Sequence, residues 1–345
     1  MIDLRSDTLT KPTPEMLEAI LAAPLGDDDR THELGRGEDP TVNELEDHAA
    51  RITGKQAAVL VPSGCMANTA AVLAQVKPGS TLLVDEQQHL MISEKYLFDP
   101  VLGRMSPQTY RHDEHGQPNL GDIAAALDAG GIDLICVENS HNYAGGAAIT
   151  CERLAAIHEL AQAHGVPVHM DGARLFNAAL ALGVDVSELC QHVDTLMFCL
   201  SKGLSAPVGS IVCGDQDTIL EVRRMRKALG GAMRQAGVIA APGIYALRHT
   251  VERLAEDHAN ARAFADAIAD LERTHIVGDV VTNIVVIDVS DITDDPLAYC
   301  ERAAERGLII RPVMKRYIRF VFYRGITRED ALNAAAIVRE LDAGL

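Results

Sequence analysis

Phe198-Cys199-Leu200-Ser201-Lys202-Gly203-Leu204-Ser205-Ala206-Pro207 decides the fold. An apolar run ends there in a Ser-Lys-Gly turn. One strand–helix–strand unit upstream, Val168-His169-Met170-Asp171-Gly172-Ala173-Arg174 places an aspartate at the end of a second apolar run. Outward from these two, short apolar runs keep alternating with helical periodicity. Strands are predicted at Ala57–Val61, Thr81–Val84, Leu134–Val137, Val166–His169, Thr195–Leu200 and Ser210–Cys213. Helices are predicted at Met66–Gln75, Leu120–Ala129, Cys151–His164 and Arg174–Leu182, with two more at 12–24 and Glu44–Ile52. This alternation implies an α/β architecture with a mainly parallel sheet covered on both faces. Residues 238–273 read as an almost continuous helix that bridges to a smaller α+β unit. There, strands are predicted at Val280–Val289 and Tyr317–Tyr323, and helices at 296–306 and 327–343. The predicted division is a large domain over 1–248 and a small one over 249–345.

Composition narrows the function classes. The 345 residues are 48% hydrophobic, a globular balance. The net charge of −18, from 31 basic against 49 acidic residues, argues against binding a nucleic-acid backbone. Aromatics are 4% with no tryptophan, so no stacking platform for bases is expected. No apolar run approaches the ~20 residues that span a bilayer, and Met1–Arg5 does not open like a secretory signal. The seven cysteines are scattered and form no CxxC pair; reduced thiols in a cytoplasmic protein fit them best. Neither a CxxC pair nor an HExxH motif occurs, and no metal site is expected.

Open α/β sheets bind ligands at the carboxyl ends of their strands. A lysine and an aspartate there point to pyridoxal phosphate. The lysine holds this cofactor as an imine, and the aspartate keeps its pyridine nitrogen protonated. Pro62-Ser63-Gly64-Cys65-Met66-Ala67-Asn68 follows a strand and opens a helix, which suits a phosphate. His89 and the stretch Glu138-Asn139-Ser140-His141-Asn142 also follow strands. His89 can stack on a ring or be structural; His141 can serve a substrate hydroxyl or simply belong to a turn. Arg174 can clamp a carboxylate or form an ordinary ion pair. The basic stretch Arg223–Gln235, with Lys227 and Arg234, suits an anion or a solvated helix face. Arg319 interrupts an apolar strand. Once buried it needs a counter-charge, from a substrate carboxylate or from an internal acid.

With these segments in place the chain resembles the threonine aldolases, grouped with the β-eliminating lyases. The resemblance runs in order through Asp3-Leu4-Arg5-Ser6-Asp7-Thr8, Gly37-Glu38-Asp39-Pro40, Pro62-Ser63-Gly64, Glu138–Asn142, His169–Arg174, Leu200-Ser201-Lys202-Gly203-Leu204, Pro207-Val208-Gly209-Ser210 and Gly230–Gln235. It implies the aspartate-aminotransferase-like fold and pyridoxal phosphate on Lys202, with Asp171 on the pyridine nitrogen and His89 over the ring. It implies a phosphate on the N–H groups of Gly64 and Cys65. It implies a substrate carboxylate held by Ser6, Arg174 and Arg319, and His141 near the β-hydroxyl. Lys227 and Arg234 would reach the cofactor phosphate or site of an adjacent subunit, so a homodimer is the smallest active unit and a homotetramer the usual one. The implied reaction cleaves a β-hydroxy-α-amino acid to glycine and an aldehyde. The base is left open between His141, His89 and a held water. β-Elimination and transamination on the same frame stand as alternatives, as does a silent cofactor-binding scaffold.

Four places depart from the family pattern. Residues 29–36 lengthen a loop and lack its tyrosine. Cys65 replaces a threonine. Tyr323 stands where a histidine is common. The stretch after His89 keeps Glu94 but loses a glycine pair.

Overall fold

The computed structural model describes residues 1–30, 35–314 and 316–344. The chain opens with a short strand, β1 (Ile2–Asp3), followed by helices α1 (Pro14–Ala22) and α2 (Pro40–Thr53). There follow β2 (Ala57–Val61), α3 (Gly64–Gln75), β3 (Thr81–Asp85), β4 (Ser106–Tyr110), α4 (Leu120–Ala129), β5 (Leu134–Glu138), α5 (Cys151–Ala163) and β6 (Val168–Asp171). Next come α6 (Leu175–Leu182), α7 (Val186–Cys190), β7 (Thr195–Cys199), β8 (Ser210–Gly214) and α8 (Gln216–Ala228). Seven of these strands form one sheet in the order β2-β8-β7-β6-β5-β3-β4. β8 runs antiparallel to both neighbours, and the remaining pairs are parallel. Every residue of β5, β6, β7 and β8 is buried, as expected of strands with helices on both faces.

Local chemistry sets the element ends. The Asp39 carboxylate accepts from the N–H groups of Thr41 and Val42, each at 3.0 Å, and Pro40 needs no partner at the first helical position. Gly54, at φ 69°, ends the same helix in the left-handed conformation. β4 did not show in the apolar pattern. Its sequence, Ser-Pro-Gln-Thr-Tyr, is that of an exposed edge strand, where a proline costs no ladder bond.

The continuous helix expected over 238–273 is two helices, α9 (Gly237–His249) and α10 (Leu254–Ile268). A turn at residues 251–253 separates them, and at the end of α9 the Thr250 hydroxyl lies within hydrogen-bond distance of the carbonyl oxygens of Ala246 (2.7 Å) and Leu204 (3.2 Å). Beyond lie β9 (His275–Ile276), β10 (Ile284–Asp288), α11 (Pro296–Glu305), β11 (Leu308–Ile309), β12 (Arg311–Val313), β13 (Tyr317–Val321) and α12 (Arg328–Asp342). A four-stranded antiparallel sheet, β12-β13-β10-β9, packs with α10, α11 and α12 around Phe264, Phe320 and Phe322. The N-terminus belongs to this core, since β1 pairs with β11 and Leu4 is fully buried in it. Among the described residues no helix is long and apolar enough to cross a membrane.

Candidate active site

The carboxyl ends of β3, β5, β6 and β7 converge with the N-terminus of α3. Asp171 is the last residue of β6 and pairs in register with Glu138 on β5 and Met197 on β7. It is buried, and its carboxylate accepts from Asn68 Nδ2 (2.9 Å) and from the backbone N–H of Ala173 (3.0 Å). Gly172 is required beside it: a Cβ there would lie 2.5 Å from the Met197 carbonyl oxygen. Lys202 follows β7 by one turn. Its backbone carbonyl accepts from the Thr10 hydroxyl at 2.9 Å, and its side chain is half-buried with no hydrogen bond or ion pair among the described residues. The Cys199 thiol feels the charges of both Lys202 and Asp171, although burial is what mainly pushes its pKa up.

At the start of α3, the Ser63 hydroxyl accepts from Met66 N at 3.2 Å. The N–H groups of Gly64 and Cys65 lie in that helix's first turn, where the helix dipole favours an anion. A Cβ on Gly64 would meet Cys199 Sγ at 2.9 Å, so this turn sits tightly against β7.

Two guanidinium groups are buried nearby. Arg174 gives its fork to Asp7, with Nε to Oδ2 at 2.7 Å and Nη2 to Oδ1 at 2.8 Å. Burial alone would raise the Asp7 pKa, but Arg174 outweighs it and holds the carboxyl below its ordinary value. Arg319 is 1% exposed and among the described residues touches no carboxylate. Its Nη1 donates to Asn142 Oδ1 at 2.6 Å, an oxygen also shared with Arg174 Nη1 at 3.2 Å, and its Nε is without a partner. Burial, then the adjacent Arg174, push its pKa well below the usual guanidinium range. The cluster therefore holds two cations against one carboxylate. We expect Asp7→Asn to lower stability by about 3–5 kcal/mol in urea unfolding near neutral pH, because it leaves Arg174 charged and unpaired.

His89 follows β3, and its backbone N–H donates to Glu138 Oε2 at 2.7 Å. Its ring Nδ1 lies 2.8 Å from Glu94 Oε1, and its side chain is 29% exposed. His141 is arranged otherwise. It is wholly buried, and Nδ1 accepts from the N–H groups of Ala144 (3.0 Å) and Tyr143 (3.3 Å). Nε2 therefore carries the proton and donates to Asp85 Oδ2 at 2.7 Å. Both nitrogens of the histidine expected near a substrate hydroxyl are thus engaged inside the protein.

Ser6 caps the short turn Asp7–Leu9, its Oγ accepting from Thr8 N at 3.2 Å. Lys227 and Arg234 are exposed and pair with acids at and just before the altered loop: Lys227 with Asp29 at 2.9 Å, Arg234 with Asp27 at 3.1 Å and Asp29 at 3.3 Å. Residues 31–34 of that loop lie outside the described residues. Tyr323 turns its hydroxyl away to the Asp3 carbonyl at 2.8 Å. Sequence reasoning gave no role to Asp7, Asn68 or Asn142. All three stood inside quoted stretches, but no spacing rule joins residues so far apart in the chain.

A lysine one turn beyond β7, an aspartate at the end of β6 and the first-turn N–H groups of α3 stand at the carboxyl ends of this sheet, the arrangement expected of α/β lyases and transferases. Residues 3–292 match the family described as Beta-eliminating lyase. The low specificity L-threonine aldolase of Escherichia coli K12 is 37% identical over 345 residues, covering 97% of this chain and 98% of that one. Low-specificity L-threonine aldolase 1 of Arabidopsis thaliana is 37% identical over 341 residues, covering 95% and 93%. The chain belongs to the beta-eliminating lyase family, in its threonine aldolase branch. Threonine aldolase from Leishmania major has the same fold, with a TM-score of 0.80 at 14% identity over 99% of this chain and 100% of that one.

Proposed function

We propose that this protein is a pyridoxal-phosphate-dependent aldolase that cleaves a β-hydroxy-α-amino acid of the threonine type to glycine and an aldehyde. One observation carries the reading: among the described residues Arg319 is buried with no carboxylate in contact, in the same site as Lys202 and Asp171. An amino-acid carboxylate completes that charge balance. The residues also fit the cofactor. Lys202 has no hydrogen bond or ion pair among the described residues, Asp171 accepts from Asn68 Nδ2 and the Ala173 N–H, and the first turn of α3 offers N–H groups in a recess that a Cβ on Gly64 would disturb. Bound there, pyridoxal phosphate supplies an electron sink for the pair released when the Cα–Cβ bond breaks.

The chain's own residues do the rest. Arg319 fixes the carboxylate and so sets which Cα bond faces the sink. Arg174, anchored on Asp7, donates to the same Asn142 oxygen as Arg319 and so positions Arg319 instead of gripping substrate itself. Ser6 borders that carboxylate from the N-terminal turn. His89 takes the proton from the β-hydroxyl, because its ring is open to the site whereas that of His141 is not. The Lys202 amine, with no hydrogen bond or ion pair among the described residues, is the group that would hold the cofactor between turnovers.

We further propose a division near residue 249, a homo-oligomer in which Lys227 and Arg234 approach a neighbouring subunit, and action in the cytoplasm. The exposed position of those two cations and the seven free thiols support this reading. Purified enzyme should release glycine from at least one of threonine, allo-threonine and phenylserine. Keto acid and ammonia without glycine would instead mean elimination and overturn the proposal.

A further inference from the structure

A chain of hydrogen bonds runs under the site, and its direction is fixed at both ends. At one end Gln75 Nε2 donates to the Ala71 carbonyl (2.9 Å), which can only accept, and to Thr195 Oγ1 (2.8 Å). The Thr195 hydroxyl proton is then free for His169 Nδ1 at 2.8 Å, and His169 Nε2–H donates to Asn68 Oδ1 at 3.2 Å. Burial pulls the His169 pKa down to about 4, so this ring is neutral and donates once. At the other end Asn68 Nδ2 gives one hydrogen to Asp171 Oδ2 (2.9 Å) and one to Glu94 Oε1 (2.8 Å). Carboxylate oxygens accept, so the two ends agree on which way the Asn68 amide faces.

Glu94 Oε1 therefore already accepts from Asn68 when it meets His89 Nδ1 at 2.8 Å. The proton between them belongs on His89 Nδ1, and Nε2 has no partner among the described residues. We propose that Glu94 is a positioning residue: it fixes His89 as the Nδ1–H tautomer and keeps Nε2 free to take a proton from substrate. This rests on the reading of His89 as the base given above. An imidazole without such a partner favours the opposite tautomer, which points N–H at the substrate oxygen and cannot act as base.

The charges around the pair agree with this assignment. His89 faces Glu94 on its own turn, Asp171 at the end of β6 and Glu138 at the end of β5. Burial alone would lower its pKa, but these carboxylates raise it. Glu94 is raised by burial first and by Asp171 as well.

The test is the ring-nitrogen NMR signature of His89 in protein carrying ¹⁵N-histidine, with and without added pyridoxal phosphate and assigned by its loss in His89→Asn. Wild type should carry the proton on Nδ1. Glu94→Leu should move it to Nε2 and slow glycine release by about 10²-fold in kcat, with little change in KM. Glu94→Gln still accepts through its amide oxygen, so it should keep the tautomer and most of the rate. It removes a negative charge, so the His89 pKa falls and the acid limb of the pH profile should shift to lower pH. A wild-type proton on Nε2, or a Glu94→Leu variant with unchanged tautomer and rate, overturns the proposal. If Glu94→Leu fails to fold, wild type and Glu94→Gln decide it. A correct tautomer in a protein that releases no glycine sinks the aldolase reading and leaves the Glu94–His89 geometry standing.

Discussion

Lys202→Ala should lower glycine release from every β-hydroxy amino acid by ~10⁴-fold or more, the scale seen when a covalent catalyst is removed. The same variant should no longer retain cofactor covalently after borohydride reduction. Its stability should barely change. The Lys202 side chain makes no hydrogen bond or ion pair among the described residues, and the contact that holds the loop is the backbone carbonyl to Thr10. The loss should therefore be chemical and not structural. Wild-type turnover by Lys202→Ala would remove the basis of the mechanism.

Arg319→Leu should separate activity from stability. A charge-assisted pair to a carboxylate is worth about 1.5–3 kcal/mol, so KM for the amino acid should rise roughly 10- to 100-fold. Removing Arg319 also removes a buried cation that has Arg174 for a neighbour and, among the described residues, no acid in contact. Swapping such a charge for an apolar side chain is often neutral or stabilising. The melting temperature should hold or rise while substrate binding fails. A large drop in melting temperature with KM unchanged would mean that Arg319 is structural. Arg319→Lys should recover little, since an ammonium cannot both reach Asn142 and present a planar fork.

Much of this was legible in the sequence, for physical reasons. Buried parallel strands are continuous apolar runs, so β5, β6 and β7 announce themselves, and the residues at their carboxyl ends stand out as polar. Lys202 and Asp171 were singled out that way, and His89 likewise after β3. β4 was not, because an edge strand facing water needs no apolar run. The turn between α9 and α10 was also missed, because contacts such as those of the Thr250 hydroxyl at the end of α9 are visible only in space. The site's ion pairs were least legible. Arg174 and Asp7 are 167 residues apart, and only the fold reveals that the fork is already taken. The His141 ring was read as available because a motif lists residue types but does not say which atoms are occupied.

The segment Ile2–Thr10 has a consequence for assembly. Its partners are far along the chain: Thr10 meets Lys202 across 192 positions, and the Asp3 carbonyl meets Tyr323 across 320. Arg319 also donates to the Arg5 carbonyl at 3.3 Å. This clasp can close only after both sheets exist, so the ligand pocket is finished late, by the portion of polypeptide synthesised early. Contacts of such long separation are slow to form. Removing Ile2–Thr10 should therefore cost the β1–β11 pairing and the Leu4 core contact while leaving the seven-stranded sheet in place and the catalyst unfinished.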